Sequence, residues 1–124
     1  MKKDIKDIND IKLLVDTFYK NANSDKVLGP IFESYLSERW DEHHETFYRF
    51  WQTVILKEMS YYGKPVPFHF TMHLDALHFD LWVSIWRATV DSLFQGEKAE
   101  RAKLRGKTMS DAFLKKIKKH ESNN

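Results

Sequence analysis

The chain has no cysteine among its 124 residues. That excludes disulfides, thiolate nucleophiles, and zinc or iron–sulfur sites held by sulfur. Glycine and proline are scarce, at four and three, and no glycine-rich phosphate loop, nucleophile elbow or His-Glu-x-x-His pair occurs. No segment alternates apolar and polar residues as a half-buried strand would. No run approaches the ~20 apolar residues of a membrane span. The start, MKKDIKDINDIK, lacks the apolar core of a secretory signal, so no export and no membrane association are expected, and a cytoplasmic location follows. The acids fall mainly on helix faces opposite the aromatics, which leaves a paired-carboxylate hydrolase site without support.

What is present is aromatic. Rings make up 15% of the chain, within an ordinary hydrophobic fraction of 42%. The net charge is +2, with both signs interspersed until the tail from Gln95, where basic residues outnumber acids. Cations suit the C-terminal end of a helix, and no basic patch is interleaved with exposed aromatics, so nucleic acid is not an expected partner. The length suits one domain with a single core. The expected limits are 1–124, with 1–7 a polar lead-in and 119–124 a frayed tail.

Four long amphipathic patterns follow one another. Ile8, Ile11, Val15, Phe18 and Ala22 recur at steps of three and four, with Asp7 or Asn9 as the cap; Tyr19 borders this stripe. After the turn Asn23–Asp25, Pro30 is suited to open a short helix carrying Phe32 and Tyr35. The next pattern, from about Ser37 or Glu38, shows Trp40, His43, Phe47, Phe50 or Trp51, and Val54 on one face. His43 lies on the apolar stripe, whereas His44 is turned by about 100° toward solvent. A third long helix, capped by Asp75, presents Trp82, Ile85 or Trp86, Thr89 and Leu93. Gln95 and Gly96 break it, and Ala102, Gly106, Met109, Phe113 and Ile117 carry the last. The architecture expected is all-α.

Between the second and third long patterns lies YYGKPVPFHFTMHLD, where Gly63, Pro65 and Pro67 end one helix and Pro67 can open a stub bearing His69. Taken alone, His69 is either a core histidine with its ring nitrogens satisfied by backbone or an axial metal ligand. His69 and His73, four apart, can also share a zinc ion with a nearby acid. The partners that a carboxylate-bridged di-iron bundle needs at helical spacing are missing. Aromatic surroundings suit a large planar cofactor better than a hydrated ion, and haem, held by a proximal histidine, fits that description.

The phrases LVDTFYKNANSDKVLGPIF, ERWDEHHETFYRFW, YYGKPVPFHF and HFDLWVSIW, in this order and spacing, resemble the truncated haemoglobins, most closely the group III branch. The resemblance implies a shortened globin fold, a two-over-two helical sandwich around haem b. It places His69 on the proximal iron ligand, with His73 and His78 as competing histidines and His73 as the fallback. Tyr19 falls on the distal tyrosine, Phe32 on the phenylalanine packed against the porphyrin, His43 on the distal gate and Phe47 on the apolar position one turn further. Phe47 is bulkier than the aliphatic residue expected there. Trp82 falls on the tryptophan whose indole assists Tyr19. The implied function is binding of dioxygen, nitric oxide or carbon monoxide, with redox chemistry such as nitric oxide or peroxide detoxification served by a reductase. The protein would be a monomer or weak dimer. His43 either gates the pocket or takes the sixth iron site itself. Two other classes stay open: a haem-based sensor and a metal-free helical interaction module.

Overall fold

The computed structural model describes residues 2–36, 40–58 and 74–122, with the side chains of 34–41 and 120–122 left out of the description. Five helices account for nearly all of it: α1 (Ile8–Asn23), α2 (Leu28–Leu36), α3 (Trp40–Leu56), α4 (Ala76–Leu93) and α5 (Glu97–Ser122). No strand occurs among the described residues.

Three helix starts have a local cause. Asp7 has extended backbone, and its carboxylate accepts from the first-turn amides of Asn9 and Asp10. The α2 start differs from the sequence expectation. Asp25, not Pro30, opens that helix, accepting from Val27 and Leu28 at 2.9 Å. Pro30 is the third residue of α2, within the first turn, where a missing amide costs nothing. Asp75 caps α4 as expected, and His78 completes a capping box, its Nδ1 accepting from the Asp75 amide at 3.0 Å.

α5 is capped by tertiary structure. Gly96, at φ 139°, precedes Glu97 and offers no side chain. Asp4 supplies the missing acceptor from 94 and 95 residues away in sequence, bonding the amides of Lys98 and Ala99 at 2.9 Å each. A Cβ on Gly96 would lie 2.6 Å from the Asp4 carboxyl carbon, so the glycine is needed for space as well as for its backbone conformation. The Gln95 amide bonds the carbonyl of Lys3, and Ile5 is 1% exposed. The lead-in expected to be merely polar is docked on the core. At the other end α5 continues helical through Ser122, into the stretch expected to fray.

α1 packs against both α3 and α4, α4 packs against α5, and α3 reaches α5. Two features let α5 approach closely. Gly106 sits against the Trp86 indole, where a Cβ would come within 2.5 Å of Cδ1. Arg101 donates to the Ile55 carbonyl at the end of α3 at 2.7 Å, satisfying an orphan acceptor with a charge that favours that helix end. The α3 and α4 backbones are not packed together. Indoles bridge them instead: Trp51 of α3 stacks on Trp86 of α4 at 4.3 Å and 23°, and Trp82 stacks on Trp86 at 5.5 Å and 17°. Of the alternatives left open by periodicity, Trp51 and Trp86 are the buried members, while Phe50 and Ile85 are partly exposed. Leu14 and Phe79 are further core residues that the stripes passed over. No described helix is long and apolar enough to cross a membrane.

Candidate functional site

Tyr19 is the centre of a ring cluster built by three helices. It is 3% exposed. Phe32 of α2 meets it edge-on at 5.8 Å, and Phe47 of α3 stacks on it at 5.4 Å and 21°. His43 stands edge-on at 5.3 Å from Tyr19 and 4.3 Å from Phe47. The Tyr19 hydroxyl and Nε2 of His43 are 2.9 Å apart. When His43 carries its proton on Nδ1, the phenol is the donor in that bond. Burial pushes the Tyr19 phenol well above its ordinary pKa, because a phenolate would lose its hydration. Tyr19 is therefore a neutral O–H donor across the physiological range.

The structure brings Tyr19, Phe32, His43 and Phe47 together. Trp82 stands behind Phe18, whose ring meets Tyr19 at 4.9 Å on one side and Trp82 at 5.2 Å on the other. The indole N–H of Trp82 has no hydrogen-bond partner among the described residues, whereas that of Trp86 bonds the Ala102 carbonyl at 2.9 Å. His69 and His73 lie outside the described residues. His78 is committed elsewhere. Its Nδ1 accepts from a backbone amide that can only donate, so neutral His78 carries its proton on Nε2 and presents no free lone pair. The approach of that same Nδ1 to Asp75 Oδ1 at 3.2 Å is then proximity within the capping box and not an ion pair. Among the described residues, no three histidines or carboxylates converge to hold a metal ion.

His44 departs from the sequence expectation. It is half-buried, not at the surface. Its ring lies 4.9 Å from Tyr19 and 6.2 Å from Tyr48, which in turn donates a hydrogen bond to Asp16. The reason is the contact of α1 with α3: residues about 100° apart on α3 can both reach α1 when the two helices lie close. Two spacings carried the signal in the sequence, His44 to Tyr48 at four on α3, and Lys12, Asp16 and Tyr19 at four and three on α1.

No family model matches the chain. The group 3 truncated hemoglobin ctb of Campylobacter jejuni is 25% identical over 114 residues, covering 89% of this chain and 90% of that one. A crystal structure of the group III truncated hemoglobin from Campylobacter jejuni superposes with a TM-score of 0.82 at 25% identity, covering 94% of this chain and 95% of that one. The chain has the truncated-globin fold. Within that fold, the Tyr19 cluster is formed where α1, α2 and α3 meet, and the indole stack holds α3 away from α4.

Proposed function

We propose that the chain holds haem b in the gap between α3 and α4, with His69 as the axial iron ligand, and binds a diatomic molecule beside Tyr19. The observation that carries the reading is the Tyr19 hydroxyl: a buried, protonated donor hydrogen-bonded to an imidazole at 2.9 Å, inside a shell of rings. The side chains fit a flat apolar group. Phe47, Phe50 and Val54 on α3, and Leu81, Trp82 and Ile85 on α4, remain only partly buried, while stacked indoles keep the two backbones apart. Faces of that kind suit a macrocycle better than a hydrated ion.

Bound haem would supply an iron able to take up a small diatomic molecule. The chain's own residues do the rest. Tyr19 presents its Oη proton toward a small guest that carries partial negative charge. His43 either keeps that hydroxyl occupied or turns away to admit the guest, and so sets entry. The Trp82 indole N–H, without a described protein partner, is a second donor at the margin of the gap. A strongly held guest is suited to reaction more than to delivery, which favours oxidation of nitric oxide or reduction of peroxide over oxygen transport. Both need electrons from a reductant or reductase.

The test is an absorbance spectrum of the protein with one equivalent of haemin, followed by dithionite and carbon monoxide. A sharp, saturable Soret band that shifts on reduction and again with carbon monoxide is expected. His69→Ala should lose the axial spectrum, and retention in that variant would move the ligand elsewhere. A spectrum identical to free haemin would overturn the reading.

A further inference from the structure

We infer that Tyr48, with Asp16 as its proton acceptor, is a surface electron-entry site connected through the His44 ring to Tyr19. The inference rests on the peroxide branch of the function proposed above. It is drawn from a contact series that the pocket reading does not use: Tyr19 to His44 at 4.9 Å, His44 to Tyr48 at 6.2 Å, and the Tyr48 hydroxyl on the Asp16 carboxylate. The series begins at a 3%-exposed phenol and ends on a half-buried tyrosine beside an exposed carboxylate. Each ring-to-ring gap is one over which a single electron moves readily.

The chemistry at the outer end explains why these residue types stand together. The Lys12 ammonium lies 5.7 Å over the Tyr48 ring, and a cation placed there opposes positive charge on the ring. Tyr48 can therefore lose an electron only if it loses its proton as well. The Asp16 carboxylate, already accepting that hydroxyl, is where the proton goes. Tyr19 has the corresponding base in Nε2 of His43.

Each round balances. Tyr19 gives one electron to the oxidant and its Oη proton to His43. Tyr48 then gives one electron to Tyr19, whose proton returns from His43, while the Tyr48 proton passes to Asp16. The net change leaves a Tyr48 phenoxyl and an Asp16 carboxylic acid, with one electron delivered inward. A peroxide takes up two electrons and two protons to give two waters, so two rounds consume one peroxide. A small donor of the phenol or ascorbate class restores Tyr48 by one electron, Asp16 returns the proton, and the donor's own released proton supplies the one used at the peroxide.

The experiment has two arms. In the first, haemin-loaded protein is mixed with hydrogen peroxide and frozen for electron paramagnetic resonance. A tyrosyl signal is expected that Tyr48→Phe abolishes and ascorbate quenches. In the second, the protein without haemin is photo-oxidised by a ruthenium tris-bipyridine complex with persulfate, and phenoxyl absorbance is followed. Tyr48→Phe should remove most of it, and Asp16→Asn should slow its appearance until imidazole buffer is added as a substitute base. A signal of unchanged yield in Tyr48→Phe, or an Asp16→Asn variant indifferent to buffer base, would overturn the relay. The arms keep the two failures apart: absence of a Soret shift removes the haem reading, while the photochemical arm judges Tyr48 and Asp16 without haem.

Discussion

The hydroxyl of Tyr19 and Nε2 of His43 share one hydrogen bond of 2.9 Å across the α1–α3 contact. Two polar atoms set among apolar rings thus satisfy each other, which matters because an unmet donor in such a place costs about 1–3 kcal/mol. Any guest that needs the Tyr19 proton must replace His43 as its acceptor. The pair is therefore a structural solution for two polar atoms in an apolar cluster and, under the function proposed above, the point at which a guest would compete.

Tyr19→Phe removes the donor and leaves the ring. Hydrogen bonds to charged partners contribute about 1.5–3 kcal/mol, so release of dioxygen from the haem-loaded protein should accelerate by roughly ten- to a hundred-fold. Stopped-flow displacement by carbon monoxide measures it. An unchanged off-rate would remove Tyr19 from the role.

Gly106→Ala tests the contact of α5 with α4. Its Cβ would come 2.5 Å from Cδ1 and 2.7 Å from Nε1 of Trp86, an indole stacked with Trp51 and Trp82 and bonded to Ala102. Overpacking of this kind costs about 1–3 kcal/mol. The urea midpoint should fall by the corresponding amount without a change in slope.

Asp4 gives stability a specific acid limb. Burial on its own pushes the carboxyl up, but the amides of Lys98, Ala99 and Ile5 and the charge of Lys98 outweigh it, and its pKa is lowered. A lowered folded value means that the stabilisation is present above the ordinary carboxylate pKa and is lost as pH falls through the folded one. Asp4→Ala should cost about 1 kcal/mol at neutral pH, the usual worth of a helix cap. Thermal midpoints of wild type and variant should converge in acid below the folded value. A constant gap at every pH would mean that the charge is irrelevant.

His78 separates capping from ligation. Glutamine can take the reciprocal role in a capping box, so His78→Gln should leave both the haem spectrum and stability nearly unchanged. His78→Ala should lower stability by about 1 kcal/mol with the spectrum intact. A lost Soret band in either variant would make His78 the iron ligand.

The sequence by itself determined the helices and much of the core. Recurrence at three and four placed Ile11, Val15, Phe18 and Ala22 inward on α1, and the short polar residues Asp7 and Asp75 marked two helix starts, because those features act within one or two turns of chain. It also singled out Tyr19 and His43 as rings on apolar faces. Tertiary structure decided what depends on how helices approach one another. It selected Trp51 over Phe50 and Trp86 over Ile85, since adjacent residues on a helix margin are equivalent until a partner helix arrives. It turned His44 toward Tyr19 and set Tyr48 on Asp16, because α1 lies close enough along α3 to reach two of its flanks. It also made Asp4 the cap of a helix that begins at Glu97. No local pattern encodes a bond across the length of the chain, and only the folded backbone brings that carboxylate to those amides.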